Sequence, residues 1–281
     1  MTNFSKSNAK QFEEQWDKIK SVIHNTFDLV KSFGFTETTL TSKRAIIPIT
    51  YYLYHKDIYT DFYKNKSYEN DRDAIRKWLH AVLIKRIFGG QADSILTKIR
   101  GVFTENISKY YVKDSINEFP YDLIVKELKG TTKDMGFDDD YIEKLLLTQK
   151  GDALCFSILA ILYPYLDYRN GDFHKDHIFA ESLFTKKKLK SLGINDDQME
   201  LFLNPENYNS IPNLQLLDSN ENKSKKAMEL KDWVKRESIN KSLTQKEFCD
   251  RHIIPEILEI TEFQKFITTR KKKLKELMKI I

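Results

Sequence analysis

An aspartate directly followed by a histidine, Asp176-His177, ends the polar part of Phe173-His174-Lys175-Asp176-His177-Ile178-Phe179. A histidine side chain exchanges protons near neutral pH, so it can draw one from water. A carboxylate offers a hard oxygen to a divalent cation. Two asparagines follow. Asn213 lies in Asn209-Ser210-Ile211-Pro212-Asn213-Leu214-Gln215-Leu216-Leu217, and Asn222 in Ser219-Asn220-Glu221-Asn222-Lys223-Ser224-Lys225-Lys226. Any one of these short patterns is common on protein surfaces. All three in this order, over strand, strand and helix patterns, point to one site.

Those patterns set what must position the residues. Neighbouring strand residues face opposite ways, so Asp176 and His177 belong where the first strand ends and the chain turns. Asn213 enters the second strand, where its side-chain amide can fasten the loop. Ser219 or Asn220 is placed to cap the helix that follows. Asn222, Lys225 and Lys226 then share a face at steps of three and four, with Lys223 beside them. Between the strands, Thr185 to Ser191 is rich in lysine, and Asn195 is placed to cap a short helix from Asp196 to Leu203. Lys186, Lys187 and Lys188 fit a DNA-backbone contact and fit a solvated helix face equally well.

The three segments together resemble the HNH, or His-Me finger, nuclease site. The resemblance implies a ββα-metal module around one Mg2+ (or Mn2+), held by Asp176 and Asn222. Asn222 lies nine residues after Asn213, the separation the resemblance expects; Asn220 is the competing ligand. His177 would activate water, Asn213 would brace the loop, and Lys223, Lys225 and Lys226 would face phosphate. His174, Asn209 and Asn220 are candidates for an outer layer around the site. A wider likeness covers roughly residues 40 to 235. Lys85-Arg86-Ile87-Phe88-Gly89-Gly90-Gln91-Ala92-Asp93 and Tyr163-Pro164-Tyr165-Leu166-Asp167-Tyr168-Arg169-Asn170 are similar to the region around the HNH module of GmrSD-type, modification-dependent restriction enzymes. In that family a nucleotide-hydrolysing domain usually precedes this region. Neither its Asp-Gly-Gln-Gln-Arg motif nor a P-loop occurs here, so that partner is expected on a longer protein or a separate chain. Ala180 stands where the family often has proline, and Leu230-Lys231-Asp232-Trp233 lacks the proline often found before the tryptophan.

The remainder reads as helix. Glycine and proline are scarce, at 9 and 6 in 281 residues. Phe12, Trp16, Ile19, Ile23, Phe27 and Val30 recur at steps of three and four, which predicts a helix over 8–33 with this face inward, stopped by Gly34. A frayed start is expected before it. Further helices are expected over 43–54, 70–88, from 93 or 94, and over 120–129, 138–148 and 152–163. After the site, helices are expected from Leu230 to Ser238, over 244–251 and over 255–278. Arg72, Arg76, Lys85, Arg86, Lys98 and Arg100 offer a basic face that a solvated helix would equally show. Arg270-Lys271-Lys272-Lys273 fits phosphate contact or an ordinary basic helix end.

The fold class expected is mainly α, a helical domain carrying a small ββα-metal insert. The expected domains are 1–165, 166–238 and 239–281. Charged residues are 31% and hydrophobic residues 41%, as in a globular protein. A formal charge of +5 permits nucleic-acid binding without requiring it. Two cysteines cannot make a four-thiolate zinc site. With no signal peptide or membrane span in view, a cytoplasmic protein is expected. The function expected is a metal-dependent DNA endonuclease acting on modified foreign DNA, with two copies cooperating for double-strand cleavage. The alternative is a catalytically inactive binding or regulatory module of the same fold.

Overall fold

The computed structural model describes residues 5–106 and 111–279. Of the start expected to fray, Met1 to Ser5, residues 1–4 lie outside them, while Ser5 accepts from the Asn8 N–H at 3.1 Å as a helix cap. Two compact units form, Met1–Gly136 and Phe137–Ile281. The division falls earlier than the expected 165/166. Helices just after 136 pack on the last helix and the second strand, so they belong with the site.

The first unit holds α1 (Lys6–Glu14), α2 (Trp16–Ser32), α3 (Ile47–Lys56), α4 (Glu69–Ile84), α5 (Ala92–Phe103) and α6 (Tyr121–Leu128). The helix expected over 8–33 breaks at Gln15. Its apolar stripe also differs from expectation. Phe12, Trp16, Ile23 and Phe27 are exposed, while Val22, Thr26, Leu29 and Val30 face the core. A stripe at helical spacing shows that one face is apolar, but not that a partner covers it. Gly34 takes φ 81° just past the helix, and its N–H donates to Lys31 O at 2.9 Å, as a helix stop requires. Pro48 sits in the first turn of α3, where its missing N–H costs nothing.

This unit's core is fastened by a buried carboxylate. Asp71 accepts from Tyr52 Oη at 2.7 Å and from the Phe119 N–H at 2.7 Å. Burial raises the Asp71 pKa, and these two bonds oppose that rise. Much of the expected basic face is used internally. Arg72 donates to Phe62 O at 2.9 Å, Arg76 pairs with Asp73 at 3.1 Å, and Lys85 donates to Gly136 O at 2.7 Å.

The second unit holds α7 (Asp139–Leu146), α8 (Cys155–Leu162), β1 (Phe173–His177), α9 (Lys186–Ser191), α10 (Asp196–Leu203), α11 (Pro205–Tyr208), β2 (Leu214–Asp218), α12 (Ser219–Lys225), α13 (Leu230–Asn240), α14 (Gln245–Arg251) and α15 (Phe263–Met278). The chain is mainly helical, and β1 and β2 form the one sheet among the described residues. They pair antiparallel, with Phe173 opposite Asp218, Asp176 opposite Gln215 and His177 opposite Leu214. Leu217, Ile178, Phe179, Trp233, Phe248, Phe263 and Phe266 pack in a buried cluster beside this sheet. Asn195 caps α10 by accepting from the Gln198 N–H at 2.9 Å, as expected. Cys155 and Cys249 are buried free thiols, and burial pushes the Cys155 pKa up to about 12. Among the described residues, no helix is long and apolar enough to cross a membrane.

Candidate functional site

The site forms where β1 ends, between the start of β2 and the side of α12. The Asn213 side chain is fully buried and holds both backbone groups of Phe179. Its Oδ1 accepts from the Phe179 N–H at 3.0 Å, and its Nδ2 donates to Phe179 O at 3.1 Å and to Tyr208 O at 2.7 Å. Its own carbonyl accepts from the Ile178 N–H at 2.7 Å. One asparagine thus fixes the turn directly after Asp176-His177. Short polar side chains replace ladder bonds in this way where a strand stops.

His177 is buried at the strand's end. Its Nε2 lies 2.9 Å from Asn209 Oδ1, and its Nδ1 lies 3.8 Å from a Glu181 carboxylate oxygen. With the amide oxygen as acceptor, Nε2 carries the proton and the Nδ1 lone pair is left for a further proton. Burial lowers the His177 pKa most. The Asn209 bond opposes that, a Lys150 ammonium lowers it further, and the Glu181 and Asp176 carboxylates raise it. A neutral imidazole at neutral pH is the form a general base needs.

Asp176 faces across the sheet. Its Oδ2 accepts from Lys225 Nζ at 2.9 Å and lies 3.4 Å from Gln215 Nε2. Lys225 also donates to His177 O at 2.6 Å, and its ammonium lies 5.5 Å from the Trp233 ring centroid. Burial lowers the Lys225 pKa, and Asp176 opposes that. The phosphate contact expected of Lys225 is therefore corrected: its side chain has no exposure and is spent on the strand end. The face expected for Asn222, Lys225 and Lys226 does not form, because α12 stops at Lys225 and Lys226 turns to φ 46°. Lys223 and Lys226 are exposed and Asn222 is half-buried. The cap also differs. Asp218 caps α12, accepting from the Asn220 and Glu221 N–H groups at 2.8 and 2.9 Å, while Glu221 accepts from the Asp218 N–H at 3.1 Å. A capping box outcompetes a lone Ser219 or Asn220 cap because it satisfies two helix-start donors and its own N–H together.

The remaining expected residues lie further out. His174, on the same strand, has its Nε2 2.9 Å from Ser219 Oγ and 3.5 Å from Asp172 Oδ2. Both contacts fall on one nitrogen, so the cluster is a clasp between the start of β1 and the start of α12. Lys186, Lys187 and Lys188 are exposed on α9. Arg270, which the sequence left open between a phosphate contact and an ordinary basic helix end, is fully buried. Its guanidinium donates to Pro212 O and Leu214 O at 2.8 Å each, to Ile211 O at 3.3 Å and to Ile253 O at 2.9 Å. The carbonyls of Ile211, Pro212 and Leu214 flank Asn213, so Arg270 braces the loop that Asn213 anchors.

Sequence reasoning missed Glu181, Gln215 and this use of Arg270. Glu181 sits four residues after His177, a spacing that carries no signal outside a helix. Gln215 Oε1 is buried beside Asp176 without a hydrogen-bond partner among the described residues. Asn222 and Asp176 supply hard oxygen donors, and Lys225 and Gln215 engage Oδ2 of Asp176, leaving Oδ1. Among the described residues no cluster of three His, Cys, Asp or Glu side chains forms. Such oxygens are poor zinc ligands and are the kind that magnesium or manganese take, keeping several waters besides. Searched against protein-family models and curated proteins, the chain finds no match to either.

Proposed function

We propose that the second unit is a metal-dependent DNA endonuclease module of the HNH, or His-Me finger, type. The observation that carries this reading is the double hold of Asn213 on Phe179, directly after an Asp-His pair at a strand end. Asp176 Oδ1 and the Asn222 amide oxygen would hold the Mg2+ or Mn2+. When bound, the metal supplies charge stabilisation for the scissile phosphate and the leaving oxygen. His177 takes a proton from the attacking water at Nδ1, with Nε2 anchored on Asn209. Asn213 and Arg270 keep the His177 turn in place. The exposed Lys186, Lys187, Lys188, Lys223 and Lys226 meet the DNA backbone. On the resemblance to GmrSD-type enzymes, the substrate is modified foreign DNA. The module then serves as the effector of a bacterial defence system, acting with a nucleotide-hydrolysing partner. A second reading, a binding module without catalysis, draws on the Lys225 ammonium already paired with Asp176.

Metal titration by calorimetry beside single-turnover cleavage of plasmid and of modified DNA separates the two. His177→Ala should cut about 10²- to 10⁴-fold more slowly while binding metal nearly as the parent does. Asp176→Ala should lose both. A His177→Ala variant that cuts as fast as the parent gives the site to the binding-module reading.

A further inference from the structure

We propose that Lys150 is a phosphate-holding residue of this site, engaging a non-bridging oxygen of the phosphodiester; this inference rests on the nuclease reading above. Lys150 lies between α7 and α8, far from the Asp-His pair in sequence, and is half-buried. Its backbone binds it to the residue that holds His177. The Lys150 N–H donates to Asn209 O at 3.1 Å. Its neighbour Gln149 forms an isolated antiparallel bridge with Ser210, and Gln149 Oε1 lies 3.5 Å from Asn209 Nδ2. From β1, Lys175 Nζ donates to Lys150 O at 2.6 Å. The Lys150 backbone is thus fastened to the strand before Asp176 and to the loop that anchors the imidazole.

The side chain differs from the other cations around it. Lys225 and Arg270 are buried and fully engaged. Lys150 forms no ion pair, and its ammonium forms no hydrogen bond, among the described residues. Nearby carboxylates have other partners: Asp176 holds Lys225, Asp152 accepts from the Leu154 N–H at 2.7 Å, and Glu181 lies against His177. The Lys150 ammonium is near enough to lower the pKa of both His177 and Lys225, after burial, which lowers each most. A cation that no carboxylate pairs with is stabilised by an arriving anion. The proposed reaction brings one, and charge on its phosphoryl oxygens must be met as the bond to the leaving oxygen breaks. A lysine is suited to this as a compact charge with three donors.

The test compares Lys150→Gln and Lys150→Arg in the full chain with magnesium. Lys150→Gln should lower the single-turnover cleavage rate about 10²-fold, the usual cost of losing one charge-stabilising donor. Its magnesium midpoint by calorimetry should not weaken, and Lys150→Arg should recover much of the rate. In a His177→Ala background, Lys150→Gln should weaken binding of a short duplex and reduce the salt slope by about 0.9. A Lys150→Gln protein that cuts and binds like the parent overturns the assignment and leaves the nuclease reading standing. So does a loss in both variants with lowered thermal stability, which makes Lys150 a loop fastener. A parent that neither binds nor cuts any nucleic acid overturns the nuclease reading and the assignment together.

Discussion

The two units bury polar groups in different ways. In the first, Asp71 joins Tyr52 to the Phe119 backbone, three residues of one helical core. In the second, Asn213, His177, Lys225, Gln215 and Arg270 are all buried, and all of them touch the ends of β1 and β2. A buried polar group is costly unless it is paired. A core needs few of them, whereas two five-residue strands cannot hold a turn in place through ladder bonds alone. The second unit therefore uses side-chain bonds where the first uses apolar packing. Buried polar groups that converge on one turn mark a site more clearly than buried polar groups as such.

The strongest way to break this comparison is to remove Arg270. Arg270→Met leaves the carbonyls of Pro212, Leu214 and Ile253 without their donor. The expected cost is on the order of 4 kcal/mol. Denaturant unfolding should show it, and hydrogen exchange should show loss of protection at the Phe179 and Ile178 N–H groups. Unchanged protection there would mean that Asn213 fixes the turn unaided. Asp71→Ala is the matching change in the first unit. It strands the Phe119 N–H and leaves the Tyr52 hydroxyl only the Asn117 carbonyl at 3.4 Å, at a cost of about 3 kcal/mol. Its loss of exchange protection should stay around α3 and α4, and loss at the Asp176-His177 turn would erase the contrast between the units.

Acid sharpens the comparison from another side. His252 in the second unit is buried against Phe248 and Trp233, with neither ring nitrogen bonded among the described residues. Burial pushes its pKa down to about 3 from 6.5. The unfolded chain takes up the proton first, so stability is full above pH 6.5 and is lost as pH falls toward 3. Near pH 5 the loss from this one group is about 2 kcal/mol. His80 in the first unit has the same direction and cause, also to about 3. His252→Phe should flatten the pH dependence of the second unit's unfolding midpoint between pH 7.5 and 5. An unaltered slope would assign the acid sensitivity elsewhere.

The smallest effect is expected on α9. Replacing Lys186, Lys187 and Lys188 together should change stability by within about 0.5 kcal/mol, because all three are exposed. It should also weaken DNA binding alike for all sequences and reduce the salt slope by up to about 0.9 per charge removed. An unchanged slope would return these lysines to plain solvent exposure.

The sequence made much of the scaffold legible. The helical pattern, the two strands, the Asn195 cap and the position of Asn213 follow from local periodicity and side-chain chemistry. The stripe of Phe12, Trp16, Ile23 and Phe27 did not, since periodicity reports a face and not its partner. The basic residues were the least legible. Lys225 and Arg270 sit in lysine-rich stretches that look like solvated or phosphate-facing surface, yet each turns inward to a carbonyl or a carboxylate. Only packing decides which charge of a run is buried. Lys150 illustrates the reverse, because a single lysine in a loop has no pattern to draw notice.

The hold of Arg270 on the loop also has a consequence in time. A ribosome delivers Asp176, His177, Asn213 and Asn222 before it delivers Arg270, which lies on the last helix described. A nascent chain therefore carries every candidate catalytic group before it owns the clamp that sets their register. Chains fold progressively as they emerge. On the nuclease reading proposed above, cutting competence would then switch on late, when α15 docks, and a truncated translation product would carry the motif without the activity.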